Sequence, residues 1–540
     1  MKAFADIILH NGVIRTQEDS CPMASALAIT GNRIMAIGSN RDILALKSQK
    51  TKVIDLLKRL VLPGFIDTHF HFYEWALHYG SIDFARAASF KEMEEAVVKK
   101  SVAVGRGEWI LGQGFNESEW PENKMPNRYD LDRIAPDNPV CIWRCDLHLS
   151  VANSMALELA GINSSTPDPG GGVIEKDADG LPTGVLKEQA SNLIRNVLPE
   201  LSRGTLLENM LKAIHSAHGF GLTSIHDIRL MGGLDGADAL QCWQTLRQEG
   251  ELDIRCHVAL PGEMTNQAVD LGLFTGFGDE VLKIGYLKFF SDGGMGARTG
   301  WMTQKYLDAE YGMALTSVEE IEKAATKADM AGLSVMVHAI GDRANKEIIA
   351  MFQRIEKKGQ TKCKIPHRID HVQMVLPKDL EKLSNLKNIA ASCQPNNLSL
   401  DISMIDECAG SRGKYAYNLK SILDTKIPLM LSSDAPVADP NPLAGIYSAV
   451  TRKRMDHTPE KGWYMDQAIS VDQAVKGYTL TPATVCGSRG DLGSLAKGKL
   501  ADIVVLDQDI YTIDPLGIAD TKVDMTFFDG RIVHERRYVK

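Results

Sequence analysis

Residues 62–72 read LPGFIDTHFHF, and two histidines, His69 and His71, stand two positions apart behind an apolar run. On an extended strand that spacing puts both imidazoles on one face. Neutral ring nitrogens placed in this way are ligands for zinc and similar divalent ions. The pair is weak by itself: with 14 histidines in 540 residues, chance supplies roughly 0.4 His-x-His pairs. Residues of matching chemistry close later apolar runs. They are Lys288 in LKFFSDG, His338 in VMVHAIGD, His371 in RIDHVQ and Asp434 in LSSDAP. Imidazoles with a carboxylate make a metal-ligand inventory, and the carboxylate can also move protons.

Each residue has a plainer reading. A single histidine after an apolar run is most often a hydrogen-bonded core or surface residue. Asp434 before Ala-Pro suits the start of a turn, and so does Asp67. Lys288 suits an ion pair with Asp292, or solvent. The joint pattern carries the weight, because suitable side chains recur at the ends of five ordered strands.

Those strands belong to a larger series. Apolar, β-branched segments occur at 61–68, 221–228, 253–260, 284–293, 333–342, 367–373, 388–395 and 427–436. Amphipathic stretches separate them, such as 317–332, where Val318, Ile321, Ala324, Ala325 and Ala328 lie along one face. Eight such units predict an α/β fold, a (β/α)8 TIM barrel over 61–72 and 205–485, whose C-terminal strand ends converge on one site. The gap after the first strand is about 150 residues, far beyond an ordinary connection. It holds its own strand patterns (108–115 and 138–146), so 73–204 is expected to be an inserted α/β subdomain over the site. Within it, the Gly/Pro/Asp-rich stretch 167–184 reads as turns. It is no phosphate loop, since no Gly-Lys-Ser/Thr closes it.

The two ends of the chain look alike. ADIILHNGVI (5–14), ADIVVLDQDI (501–510) and MTFFDGRIVHE (525–535) alternate β-branched residues, with Asn11-Gly12 and Asp529-Gly530 as hairpin turn pairs. A composite β-sandwich of 1–60 and 486–540 is expected, and two unrelated hairpins are the alternative. Charged residues are 24% and the net charge is −9, without a basic footprint for nucleic acid. No apolar run reaches the roughly 18 residues of a membrane span, and the N-terminus reads as a strand rather than a secretory signal. Nine scattered cysteines without a Cys-x-x-Cys suit reduced thiols in the cytoplasm.

LPGFIDTHFH resembles the first-strand signature of the amidohydrolase superfamily. LKFFSDGGMGARTG (287–300), VHAIGDRAN (337–345), DHVQ (370–373), SSDAPV (432–437) and RCDLHLSVANSMAL (144–157) resemble the branch that includes N-substituted formamide deformylases. The closing GDLGSLAKGKLADIVVLD (490–507) resembles that family's return into its terminal sandwich. The resemblance implies that His69, His71 and Asp434 hold a buried divalent metal, zinc being the expected ion, and that His338 and His371 hold a second, more exposed one. Lys288 falls where two-metal members carry a lysine carboxylated by CO2. The implied reaction is hydrolysis of a C–N bond in a small amide- or formamide-like substrate by a metal-activated hydroxide, with Asp434 as proton shuttle.

Secondary candidates stand beside these. His148 is a candidate to face the pocket as a donor to the oxyanion, the alternative being a histidine that ties the insert together. Arg298 could bind a substrate carboxylate or form a loop salt bridge. Trp120 and Trp109 could line an aromatic wall or pack the insert core, and His226 could support the site from behind. A one-metal deaminase using His69, His71, His338 and Asp434, and a catalytically silent barrel scaffold, are the competing classes. The sequence leaves homo-oligomerisation open.

Overall fold

Eight parallel strands form the centre of the molecule. In chain order they are Phe65–Phe70, Leu222–Asp227, Arg255–Pro261, Leu282–Phe290, Val335–Ala339, His367–His371, Ile389–Cys393 and Leu429–Leu431, and each pairs with its neighbours in sequence. The first and last strands meet beyond their ends. The amide of Asp434 donates to His69 O at 2.8 Å, and that of His71 donates to Ala435 O at 2.8 Å. The result is a (β/α)8 barrel in a computed structural model that describes residues 4–85, 87–233, 235–359 and 361–537. Its strands are buried on both faces, which is why they read as apolar runs. The helices between them carry explicit stops and starts. Val318–Ala331 begins with a capping box between Ser317 and Glu320 and ends at Gly332, which holds a left-handed φ of 86°.

Three local expectations are corrected. The apolar run 61–68 is two strands. Leu60–Pro63 pairs antiparallel with Ile503–Leu506 in an outer sheet, and only Phe65–Phe70 enters the barrel. Gly64 lies between them, where a side chain would collide with Thr223. Asn11-Gly12 is not a hairpin turn, because Ile7–His10 and Val13–Arg15 lie in different sheets. Asp529-Gly530 is one, with φ of 50° and 78° joining Val523–Phe528 to Arg531–Glu535. The stretch 167–184 is more than turns: Gly172–Lys176 and Pro182–Glu188 form an antiparallel hairpin.

The outer sheet that holds Leu60–Pro63 has six strands, drawn from both ends of the chain. A four-stranded sheet from the N-terminal part faces it, and Leu9, Ile29, Val61, Val505 and Phe527 are buried together in one core. Residues 1–3 and 538–540, at the outer limits of the expected sandwich, lie outside the described residues. The segment between the first two barrel strands builds a six-stranded mixed sheet with its own core, including Phe90, Phe115, Trp120 and Leu149. Among the described residues no helix is long and apolar enough to cross a membrane.

A buried ion pair joins barrel to sandwich. Arg255, first residue of the third barrel strand, donates to Asp502 from Nε at 2.8 Å and Nη2 at 2.9 Å. Replacing Arg255 by Ala leaves the Asp502 carboxylate buried without its main partner. Breaking a buried pair in this way costs about 3–5 kcal/mol. A lower urea unfolding midpoint for Arg255→Ala is the expected result, and a midpoint equal to wild type would show that the pair contributes nothing.

Candidate metal centre

The site is assembled at the C-terminal ends of the barrel strands. Alternation along Phe65–Phe70 turns Asp67 and His69 to one face, and His71 follows at the start of the helix Phe72–Leu77. Asp67 reaches beyond its own strand. It accepts from the amide of His69 at 3.0 Å and from Ser433 Oγ at 2.5 Å, tying the first strand to the loop that carries Asp434. Burial lifts the Asp67 carboxyl to about 6 against these hydrogen bonds. His371 and Asp434 both hold left-handed backbone, with φ of 67° and 62°. Non-glycine residues in that region cost about 1–3 kcal/mol each and gather at functional sites.

These turns bring the side chains together. His69 Nε2 and His71 Nε2 lie 3.1 Å and 3.4 Å from Asp434 Oδ1, and His371 Nδ1 lies 3.9 Å from Asp434 Oδ2. The His338 ring stands 4.4 Å from that of His371, centre to centre, and the His371 ring 5.0 Å from that of His69. Burial lowers the pKa of His71, His338 and His371, which favours the neutral, ligating form. Burial alone would raise Asp434, but His69, His71 and His371 around it hold it well below the carboxylate range.

A second layer lies beneath. Asp370 Oδ2 is 3.0 Å from His69 Nδ1 and 3.0 Å from Lys288 Nζ. Arg368 donates to both Asp370 oxygens, from Nε at 2.5 Å and Nη2 at 3.2 Å, and from Nη1 to His226 Nδ1 at 3.1 Å. Burial pushes the Asp370 carboxyl up, yet Arg368, Lys288 and His69 outweigh it and keep the group ionised. Burial lowers the Lys288 ammonium while Asp370 opposes. Lys288 thus pairs with Asp370 rather than with Asp292 or solvent. Asp292 accepts instead from the amides of Ile340, Gly341 and Trp301, at 3.0, 2.8 and 2.8 Å.

The donor set fits a divalent cation. Both ring nitrogens of His69, and His71 Nδ1, are buried without an aligned hydrogen bond. Ligand atoms of His69, His371 and Asp434 all lie within 4.8 Å of one another. Two other such clusters read differently. At His226, His257 and Cys486 the two rings stack nearly parallel at 4.7 Å, and Arg368 donates to His226, an unfavourable setting for a cation. At Asp329, Cys363 and His367, the amide of Val335 donates to His367 Nδ1 at 3.1 Å, and Asp329 Oδ1 lies 3.2 Å from Nε2, so the cluster is closed upon itself behind the barrel strands.

A cavity opens onto the centre. His71, His338, His371 and Asp434 line it from the barrel, and Asp146 and His148 from the insert. Its apolar wall includes Leu147, Met231, Phe290 and Val437. Glu188 lies 2.8 Å from His148 Nδ1, and its charge lifts the imidazole to about 9 against the effect of burial. Trp120 and Arg298 are not brought to this cavity. Trp120 packs against Phe90 and Phe115, its indole donating to Ala87 O at 2.8 Å. Arg298 donates to the Asp308 carboxylate from Nε and Nη2, the latter at 2.7 Å. Trp109 packs against a second insert core.

Asp370, Arg368 and Glu188 were not singled out by the sequence reading. Period-two alternation along HRIDH places Arg368 and Asp370 on one face, so a buried charged pair was visible there. Nothing local marks Glu188, which lies 40 residues from His148.

Comparison with known proteins fits this geometry. A family model described as "Amidohydrolase family" matches residues 52–534. The Arabidopsis thaliana protein LONG AFTER FAR-RED 3 is 33% identical over 513 residues, 93% of this chain and 87% of that protein. The N-substituted formamide deformylase of Arthrobacter pascens is 25% identical over 550 residues, 99% of each chain. Among solved structures, an uncharacterized metal-dependent hydrolase from Pyrococcus horikoshii superposes with a TM-score of 0.74 at 27% identity, covering 94% of this chain and 99% of that one.

Proposed function

From the premise that this chain belongs to the amidohydrolase family, as a metal-dependent hydrolase, we propose that it cleaves a non-peptide C–N bond in a small amide- or formamide-like substrate. The observation that carries this reading is the placement of Asp434. One of its oxygens faces His69 and His71, the other faces His371, and the residue lines the cavity. His69, His71 and Asp434 would hold one ion, and His338 and His371 a second, with Lys288 between them as a carbamate. Bound divalent ions would lower the pKa of a water and polarise the substrate carbonyl.

The chain's own residues supply the rest. Asp434 takes the proton of the attacking water and delivers it to the departing nitrogen, because an amine leaves poorly unless protonated. Its depressed pKa keeps it ionised, the form that can take a proton. Leu147, Met231, Phe290 and Val437 offer an apolar wall that limits water around the reacting carbonyl. Asp370 orients His69 from behind, as outer carboxylates commonly do for metal-binding imidazoles.

The test is a panel of N-formyl and N-acyl amines with purified, metal-replete protein. Turnover is expected, falling by about 100-fold or more with a chelator such as dipicolinate and returning with added zinc. No turnover of any C–N substrate would sink the reading. One observation favours a second reading, a single-ion deaminase: Lys288 Nζ is engaged by Asp370 at 3.0 Å. A lysine kept as an ammonium cannot carry the carbamate of a two-ion centre.

A further inference from the structure

The glycine-rich loop after the fourth barrel strand, GGMGARTG (293–300), reaches the site through Gly293 O, 3.4 Å from His338 Nε2. Three of its four glycines lie where the insert presses onto the barrel. A side chain at Gly293 would collide with the carboxylate of Glu188. One at Gly294 would come within 2.7 Å of His148 Cδ2, and one at Gly296 would collide with Arg144 and Asp146. The same loop also grips Glu188 directly, through the hydroxyl of Thr299 donating to Oε1. Glu188 itself ends the insert hairpin in a strained conformation, φ 52° and ψ −126°, with its amide donating to His148 O at 2.9 Å. A buried glutamate under backbone strain, held by a loop shaped to admit it, is a built arrangement.

Its product is the orientation of one ring. Glu188 Oε2 lies 2.8 Å from His148 Nδ1, and the amide of His148 donates to Asp146 Oδ1 at 3.1 Å. The His148 ring stands 5.3 Å from that of His338, and the residue lines the cavity. Nε2, the other ring nitrogen, has no hydrogen bond to a described residue. We propose that Glu188 is a positioning residue, which fixes His148 by Nδ1 so that Nε2 meets the substrate from the insert side, opposite the metal-binding histidines. The 293–300 loop is the cradle that lets barrel and insert share this pair. An orienting carboxylate behind a working imidazole is a general device: it sets the tautomer and the ring angle without touching substrate.

The inference rests on the proposed hydrolytic site, so its test has an arm that needs no turnover. In protein labelled with 15N-histidine, the signal missing from His148→Gln identifies that ring. Glu188→Gln should move it by several ppm, and an unmoved signal overturns the proposal. The kinetic arm uses whichever panel substrate wild type accepts. Glu188→Gln is expected to lower kcat by about 100-fold, the low end of what a positioned acid or base supplies. KM should change less than about twofold, and Glu188→Asp should recover part of the loss. In a His148→Gln background, Glu188→Gln should have almost no further effect. Equal losses in both backgrounds would mean that Glu188 acts independently of His148, which overturns the role. Should Glu188→Gln fail to fold, Gly294→Ala displaces the ring from the other side. Its loss must likewise vanish in the His148→Gln background for the proposal to stand. Failure of wild type on every substrate would count against the hydrolytic reading, while the 15N result would still decide the pairing.

Discussion

Replacing Asp434 by Asn is expected to lower kcat/KM by about 1,000- to 10,000-fold, roughly 4–5 kcal/mol of transition-state stabilisation. The substitution keeps the shape of the side chain. The amide of Asn397, which approaches Oδ2 at 3.4 Å, and the Asp434 main-chain bond to His69 O need not move. What is lost is the charge and the ability to take and return a proton. Both losses fall on the same atoms, since Oδ1 faces His69 and His71 while Oδ2 faces His371. They can be separated by measuring kcat/KM and bound metal together while titrating zinc. Recovery at saturating zinc would show that Asp434 matters only as a ligand. A loss that persists with full occupancy is the expected result and isolates the proton transfer. A loss under about tenfold at saturation would remove the shuttle role.

The barrel was legible because parallel strands buried on both faces must be apolar, and the residues that close each one are then conspicuous. His69, Lys288, His338 and Asp434 all lie at such closures, as does His371, but alternation alone would have misplaced that last residue. Along HRIDH it directs Arg368 and Asp370 to one face and His371 to the other. The structure brings His371 to the site by leaving the strand conformation, with left-handed φ at both His371 and Val372. Histidine is enriched in that conformation among non-glycine residues, but too weakly to place it from sequence, and a β-branched residue such as Val372 there is rarer still. The terminal sheets show a similar limit. β-branched alternation identified strands at both ends of the chain, yet pairing depends on long-range partners. Ile7–His10 therefore joins Ala26–Thr30 and Lys52–Asp55 rather than the strand after Asn11-Gly12.

Residue type misled where a local partner was available. Arg298 has the charge to hold a substrate carboxylate, but Asp308, ten residues on, already takes its guanidinium. Trp120 has the size for an aromatic wall, but the insert needed a core, and Phe90 and Phe115 surround it there. Conversely, Asp370 stands beside the metal-ligand candidate His371 with nothing local to mark its role. Its work is done behind His69, where only the closed barrel brings Lys288, Arg368 and His69 to one carboxylate.

That carboxylate frames the second large effect, in Lys288→Ala. Metal content is expected to fall from about two ions per chain to about one, and kcat by about 1,000-fold. The Lys288 contact to Asp370 by itself opposes a carbamate, which forms only on a neutral amine. The charge balance argues otherwise. Arg368 donates twice to Asp370, at 2.5 Å and 3.2 Å, so the carboxylate has a full counter-charge without the lysine. Burial meanwhile lowers the Lys288 pKa, which favours the neutral form. Lys288 can therefore give up its proton and add CO2 without leaving Asp370 uncompensated. A short carboxylate such as propionate, entering the space left in Lys288→Ala, should restore part of the second ion and part of the activity. Metal content that is unchanged in Lys288→Ala, with no response to propionate, would make Lys288 a counter-ion only. The single-ion centre would then be the correct description of this site.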